Sequence, residues 1–536
     1  MSEASTLRQT PAAGPQRDTA SGREPAAEQC GSADSPDRAA LDEAVRAAVA
    51  RRADESEVLR CLRESSRPAL VLSGGGSRGS YQCGVWQALR DVDLQPAIIT
   101  GSSVGALNGA MMLTGHFDAA RNFWENAETE QLFRLQTPTE LRQKLASGLH
   151  NLSSMEHIFG SARSLATRGL LETDGLMQVL HQYIDEELVR SRSRQLNVRF
   201  GLSVTEIEGL RGHLLTLEDI PDGRLHDYLV ASASCFPAAR SHEIDGVRYV
   251  DGGYTDNLPV RMALDLGADA VLAVDLQAVG RVHQADLSSA PDLIHLVPSR
   301  DLGNFLVFEA ETCRRNLLLG RLDTLKTLEI LEGEQYAFRP GTFRTHSAAA
   351  ASLLKQKHEE AARSQSGGGD APELSEKERN AMTMAAIHRA HLRQAEAAGK
   401  IFGADPLRIY DADSFARAIR DQVLEASLVL QSLHDQHGGG EGGELGSALR
   451  HIRDLVEDLT PAGTAGLRKT IDMIRERGDD VLTVFIAEDI ARRGSDSIFL
   501  QRFVLRLLNL SRSLKQHIDA AGYLIREGRV GEHRNR

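Results

Sequence analysis

Five cysteines in 536 residues are too few, and odd in number, for a disulfide framework. Cys30, Cys61, Cys83, Cys235 and Cys313 also lack paired metal-binding spacing, so they read as reduced thiols of a cytosolic chain. Aromatic residues are scarce at 5%, and the cores must therefore be built mainly from alanine, leucine and valine. Cationic residues are outnumbered, 62 Lys and Arg against 75 Asp and Glu for a net charge of −13. That balance excludes the basic footprint of a general nucleic-acid binder. No apolar run of about 18 residues and no signal-peptide apolar stretch occurs, so neither a membrane-spanning nor a Sec-exported chain is expected.

What the chain does have is glycine at informative places. Gly101-Ser102-Ser103-Val104-Gly105 follows the strand-like Ala97-Ile98-Ile99-Thr100 and precedes the helix-like run that starts at Val104. In a G-x-S-x-G elbow, small flanking residues permit a tight strand-to-helix turn that leaves the central serine exposed at its tip. Ser103 takes that place, and Gly101 and Gly105 flank it. Ser102, in the second position, points away from the tip. The pentapeptide proposes a serine hydrolase.

Two further segments extend the proposal. Gly74-Gly75-Gly76-Ser77-Arg78-Gly79 follows the apolar Ala69-Leu70-Val71-Leu72, so bare backbone N–H groups and a helix N-terminus stand ready to stabilise an oxyanion. Arg78 is expected to add positive potential. Asp251-Gly252-Gly253 follows the strand-like Gly246-Val247-Arg248-Tyr249-Val250 and places a carboxylate at a strand end, making Asp251 the candidate general base. A free aspartate, with a pKa near 3.9, is a weak base for a hydroxyl, so burial must raise its proton affinity.

Each motif alone has a plainer explanation. A G-x-S-x-G is often only a turn, and Asp-Gly pairs are common at hairpins. The glycine loop also fits a dinucleotide-binding turn, but that needs an acidic residue after the second strand, whereas Asp91 and Asp93 fall before it. Asp245, in an Asp-Gly pair expected to turn a hairpin, and Asp256 are alternative bases near Asp251. His242 is close enough in sequence to be weighed as a third triad member, although a satisfied or surface histidine is the commoner reading. The joint occurrence of the three motifs, in this order, carries the weight.

In that order the motifs resemble those of the patatin-like phospholipase family: a Gly-Gly-Gly-x-Arg/Lys-Gly loop, a G-x-S-x-G elbow and a downstream Asp-Gly-Ala/Gly. The stretch Ala231-Ser232-Ala233-Ser234-Cys235-Phe236-Pro237-Ala238-Ala239 is similar to the small-residue block that precedes the aspartate in that family. The resemblance covers residues 67–338. It implies a three-layer α/β hydrolase-type domain, a Ser103–Asp251 dyad without histidine, Gly74 to Gly79 as oxyanion loop, and hydrolysis of lipid acyl esters without a cofactor or metal.

Composition divides the rest of the chain. Residues 1–38 mix Ala, Pro, Ser, Gly and both charges without an apolar core, and are expected to form a disordered leader. Ser35-Pro36 has the form of an N-cap and first helical residue, and Leu41, Val45, Ala48 and Val49 form the stripe of an N-terminal helix over 39–66. The catalytic domain, 67–338, shows an α/β rhythm across 174–185, 198–204, 213–217 and 270–274, closed by a helical stretch over 305–331. A helix and flexible linker at 339–374 includes Ser364-Gln365-Ser366-Gly367-Gly368-Gly369-Asp370. From 375 to 536 strand signals nearly vanish and apolar faces such as Phe415, Ile419, Val423 and Ala426 predict an all-helical C-terminal domain.

The last helix combines Ile498, Phe499, Leu500, Phe503 and Val504 with Arg502, Arg506, Arg512 and Lys515. Its broad apolar circumference favours packing in a helical bundle, while a basic amphipathic helix also suits docking on lipid, a protein partner or self-association. The expected substrate is a phospholipid at a membrane surface, which places the protein in the cytoplasm or peripherally on a membrane, with non-Sec export left open. A hydrolase of neutral glycerides or thioesters, and a non-catalytic lipid- or partner-binding scaffold, are the alternatives.

Overall fold

The structure, a computed structural model, describes residues 36–129, 174–235 and 239–343 together with parts of 388–421. The expected leader as far as residue 35, the expected 339–374 linker past residue 343 and the apolar faces beyond residue 421 lie outside the described residues, while residues 36–38, expected in the leader, are helical. The strands β1 (Pro68–Leu72), β2 (Ile98–Ser102), β3 (Arg199–Glu206), β4 (Arg211–Thr216), β5 (His242–Ile244), β6 (Val247–Asp251), β7 (Ala270–Val274) and β8 (Leu293–Leu296) form one sheet of eight. Its order is β5-β6-β3-β2-β1-β7-β8, with β4 paired to β3. The run β3-β2-β1-β7-β8 is parallel, whereas β4 and β6 join β3 antiparallel.

The central strands are continuous apolar runs because both of their faces are covered. Leu70 and Leu72 of β1 and Leu272 and Val274 of β7 point into one core, while Ala69, Val71, Val271 and Ala273 point into another. Over the first face lie α1 (Pro36–Arg52), α2 (Glu57–Glu64), α3 (Gly79–Asp91), α4 (Val104–Thr114), α5 (Phe117–Glu125), α6 (Asp174–Tyr183), α7 (Glu186–Leu196) and α8 (Leu225–Ser232). Over the second lie α9 (Val260–Asp265) and α10 (Gln284–Ser289), and α11 (Ala310–Thr327) packs along α3 on the first. This is the expected three-layer α/β architecture.

Local chemistry explains several of these boundaries. The single N-terminal helix expected over 39–66 is instead two helices, because Ser56 leaves helical geometry, accepts the Leu59 N–H at 3.0 Å and donates to Leu328 O at 2.7 Å. α1 starts at Pro36, the first helical residue expected there, and the expected cap Ser35 lies outside the described residues. Asp245-Gly246 makes the two-residue hairpin between β5 and β6, with φ of 50° and 83° at the two positions.

Past the main sheet, β9 (Ala337–Phe338) pairs in parallel with β10 (Ile409–Tyr410). Tyr336, Phe338, Phe343, Tyr410 and Phe415 form a small aromatic core there. The boundary expected at 338 thus falls at the end of a paired strand, and the stretch expected to be all-helical contains a short strand. Among the described residues no helix is long and apolar enough to cross a membrane.

Candidate active site

Ser103 sits at the tip expected of it. It follows β2 directly, caps α4, and holds φ 52° and ψ −127°, a conformation that a non-glycine residue adopts only when its surroundings impose it. Those surroundings are tight on both sides. A Cβ on Gly101 would lie 2.4 Å from the Gly105 carbonyl, and one on Gly105 would lie 2.2 Å from Leu72 O. The Ser103 N–H donates to Ser232 Oγ at 2.9 Å, and that hydroxyl donates to Ser203 O at 2.8 Å, tying the elbow to β3.

Strand pairing brings Asp251 to the same point. Residues 201–206 of β3 pair with β4 along one edge, so β2, on residues 199–203, and β6, on residues 204–206, must share the other. The two strands run toward each other: Ser102 is opposite Ser203 and Asp251 is opposite Val204, adjacent positions of β3. Their ends therefore meet, and the Ser103 hydroxyl is close enough to act as a hydrogen-bond donor to the Asp251 carboxylate.

Asp251 is 7% exposed. Burial pushes its pKa up to about 6, against the opposing pull of the Ser103 hydroxyl and of the Gly253 N–H, which donates to Oδ1 at 2.8 Å. The carboxylate thus has the raised proton affinity that a base for serine requires. The Asp251 N–H is anchored on Ser234 O at 2.9 Å. A Cβ on Gly252 would fall 2.2 Å from Ser203 Oγ, and one on Gly253 would fall 3.1 Å from Asp251 Oδ1, so close approach accounts for both glycines.

Most of the donors in the glycine loop are already engaged. Gly74 N–H donates to Asn257 O, Ser77 N–H to Phe305 O, Arg78 N–H to Gly75 O, and Gly79 N–H closes the short turn Gly76–Arg78. The N–H groups of Gly75 and Gly76 have no such partner among the described residues. They are the loop's candidate oxyanion donors, beside the Val104 N–H in the first turn of α4. Gly74 lies against the serine, since a Cβ there would come 3.0 Å from Ser103 Cβ.

Arg78 has a structural part beside the positive potential expected of it. Its guanidinium donates to Gly303 O at 2.9 Å, Leu276 O at 3.2 Å and Gln277 O at 2.8 Å, and burial lowers its pKa. It clamps the loop to the segments after β7 and β8.

The other acidic candidates have different partners. Asp245 turns the hairpin and pairs with Arg224 at 2.7 Å. Asp256, pushed up to about 6 by burial, uses Oδ1 to accept the Leu258 N–H within its own turn. His242 bonds Asp227 at 3.0 Å, and the Ser102 hydroxyl is buried without a partner among the described residues.

Sequence patterns gave no functional role to Ser232, Asn108 or Asn257. Asn108 donates to Gly79 O at 2.9 Å and to Gln82 Oε1 at 2.8 Å while accepting from Trp124 Nε1 at 3.0 Å, which locks the glycine loop's helix to the elbow's helix. For Ser232 and Asn108 the available signal was a polar residue inside an apolar helix. Among the described residues, no group of three His, Cys, Asp or Glu side chains is disposed to hold a metal.

Comparison with known proteins adds the following. The chain is 28% identical over 252 residues to patatin-like phospholipase domain-containing protein 7 of Mus musculus, a match covering 46% of this chain and 16% of that protein. It is 26% identical over 212 residues to an uncharacterized NTE family protein of Mycobacterium tuberculosis, covering 40% of this chain and 49% of the relative. The chain therefore spans less than half the length of these relatives. Among solved structures, VipD from Legionella pneumophila aligns over 84% of this chain and 91% of its own at 13% identity, with a TM-score of 0.29. The model of the family described as patatin-like phospholipase matches residues 70–264, from β1 through the elbow and the Asp-Gly-Gly turn to α9, and the chain carries a domain of that family there.

Proposed function

We propose that the domain is a serine acyl hydrolase that cleaves fatty-acyl esters of glycerophospholipids at a membrane surface. The observation that carries the reading is the meeting of Ser103, on a backbone turn of unfavourable φ, with a buried Asp251 of raised proton affinity. Ser103 Oγ attacks the ester carbonyl carbon while its proton passes to Asp251. The N–H groups of Gly75 and Gly76 face the developing oxyanion. Collapse of the tetrahedral species expels the alcohol, which takes the proton from Asp251 as the acyl-enzyme remains. Water then adds to the acyl-enzyme with Asp251 again as base, releasing fatty acid and restoring Ser103.

The family's description as patatin-like phospholipase and the name of the mouse relative support a phospholipid over other acyl esters. The test is release of fatty acid from mixed phospholipid vesicles by the full chain, beside Ser103→Ala and Asp251→Asn. Release that both substitutions abolish sustains the proposal. Release indifferent to Ser103 overturns it.

A further inference from the structure

Asn257 stands where the three motifs converge. Its N–H donates to Arg281 O at 2.7 Å and its carbonyl accepts the Gly74 N–H at 3.1 Å, so its main chain joins the glycine loop to the segment after β7. Its side chain is 2% exposed and lies in a slot lined by glycines. A Cβ on Gly74 would sit 2.4 Å from Asn257 Oδ1 and 3.0 Å from Ser103 Cβ. One on Gly253 would sit 2.7 Å from Oδ1 and 3.1 Å from Asp251 Oδ1, and one on Gly280 would sit 2.9 Å from Nδ2. The Oδ1 end of the amide therefore faces Ser103 and Asp251, while Nδ2 faces Gly280 and has no partner among the described residues.

A buried amide donor without a partner is costly, and here the cost is avoidable. A half-turn about the Cβ–Cγ bond exchanges the two ends of the amide, bringing Nδ2 to the side of Ser103 and Asp251, where a carboxylate is available to accept. Oδ1 gives up no side-chain hydrogen bond among the described residues in that rotation.

We propose that Asn257 is a positioning residue of the hydrolase: Nδ2 donates to the Asp251 carboxylate, holding it ionised and turned to Ser103, while the Asn257 carbonyl fixes the glycine loop at Gly74. The inference rests on the acyl-hydrolase reading above. The titratable groups that bear on Asp251 are Cys235 after α8 and Tyr254 in the turn after β6, neither of them a cation, and the Ser103 hydroxyl at the head of α4 acts on it as a donor. A donor lowers the pKa of the carboxylate that accepts it, so its removal moves the acid limb of the reaction upward.

The test is the rate at which a fluorophosphonate labels the full chain as a function of pH. In that reaction the Ser103 Oγ–P bond forms, fluoride leaves and the serine proton passes to Asp251. In Asn257→Ala the midpoint is expected to rise by about one pH unit. In Asn257→Asp, which keeps the shape of the side chain but adds a like charge, it rises further. A midpoint unmoved in both variants, with labelling slowed equally at every pH or not at all, overturns the positioning role while leaving the hydrolase intact. A parent that is never labelled, with Ser103→Ala as the blank, removes both readings.

Discussion

Ser103 and Asp251 meet because β2 and β6 approach each other end to end along one edge of β3, their last residues opposite Ser203 and Val204. The position of the two side chains is thus set by backbone pairing. A carboxylate placed there is buried by the sheet that positions it, which couples its location to its proton affinity.

In the proposed reaction Asp251 must be ionised to accept the serine proton, and burial raises its pKa to about 6. For ester cleavage we expect kcat/KM to climb roughly tenfold per pH unit below about 6 and to level off above it. A rate that is flat down to about pH 4.5 contradicts this assignment of the base.

The same raised value affects stability. Because the folded-state pKa exceeds the unfolded one, the stabilising contribution is fully present below the unfolded value and is lost as pH rises through about 6. At neutral pH the buried charge costs on the order of 3 kcal/mol. Asp251→Asn should therefore raise Tm by several degrees near neutrality while abolishing turnover, with the gain shrinking as the medium is acidified. Thermal melts of both proteins across that range would reveal the trend or its absence.

Glycine substitutions separate packing from conformation. Gly105→Ala drives a methyl to within 2.2 Å of Leu72 O, so it should cost more than about 2 kcal/mol and eliminate labelling of Ser103. Gly246→Ala meets nothing within 4 Å, and only its positive φ opposes it. It should cost about 1 kcal/mol and leave turnover unchanged. Equal effects in denaturant titrations and labelling assays would show that the elbow's glycines are not specially constrained.

Ser232 holds the elbow through one hydroxyl that accepts from Ser103 N–H and donates to Ser203 O. Ser232→Ala leaves both groups buried and unpaired, a loss of about 1–3 kcal/mol. Turnover should fall more than KM changes, because the elbow is displaced without removal of any substrate contact. Steady-state kinetics beside a denaturant melt would separate the two effects.

Arg321 is 4% exposed and pairs with Asp91 at 2.7 Å and with Asp42, joining α11 to α3 and α1. Arg321→Met strands two acidic groups and should destabilise by about 3–5 kcal/mol. Adding Asp42→Leu and Asp91→Leu should recover much of that loss, as urea melts of the single and triple variants would reveal. No recovery would mean that the ion pairs themselves are needed to dock the N-terminal helix.

The sequence by itself determined the elements whose cause is local. The elbow at Ser103, the hairpin at Asp245-Gly246, the helix start at Pro36 and the doubly covered strands β1 and β7 follow from turn geometry, capping and apolar runs within a few residues. Motif order also pointed to Asp251 ahead of Asp245 and Asp256. Tertiary structure alone decided what depends on residues far apart in the chain. Arg78 is a clamp because carbonyls near residues 276 and 303 reach it, and Ser232 reaches the elbow from 129 positions away. Asn257 lies among Gly74, Gly253 and Gly280 because three loops converge at one end of the sheet. The physical reason is that hydrogen bonds and desolvation act through space, so the partners of a polar side chain and the proton affinity of a buried carboxylate exist only once the sheet has assembled around them.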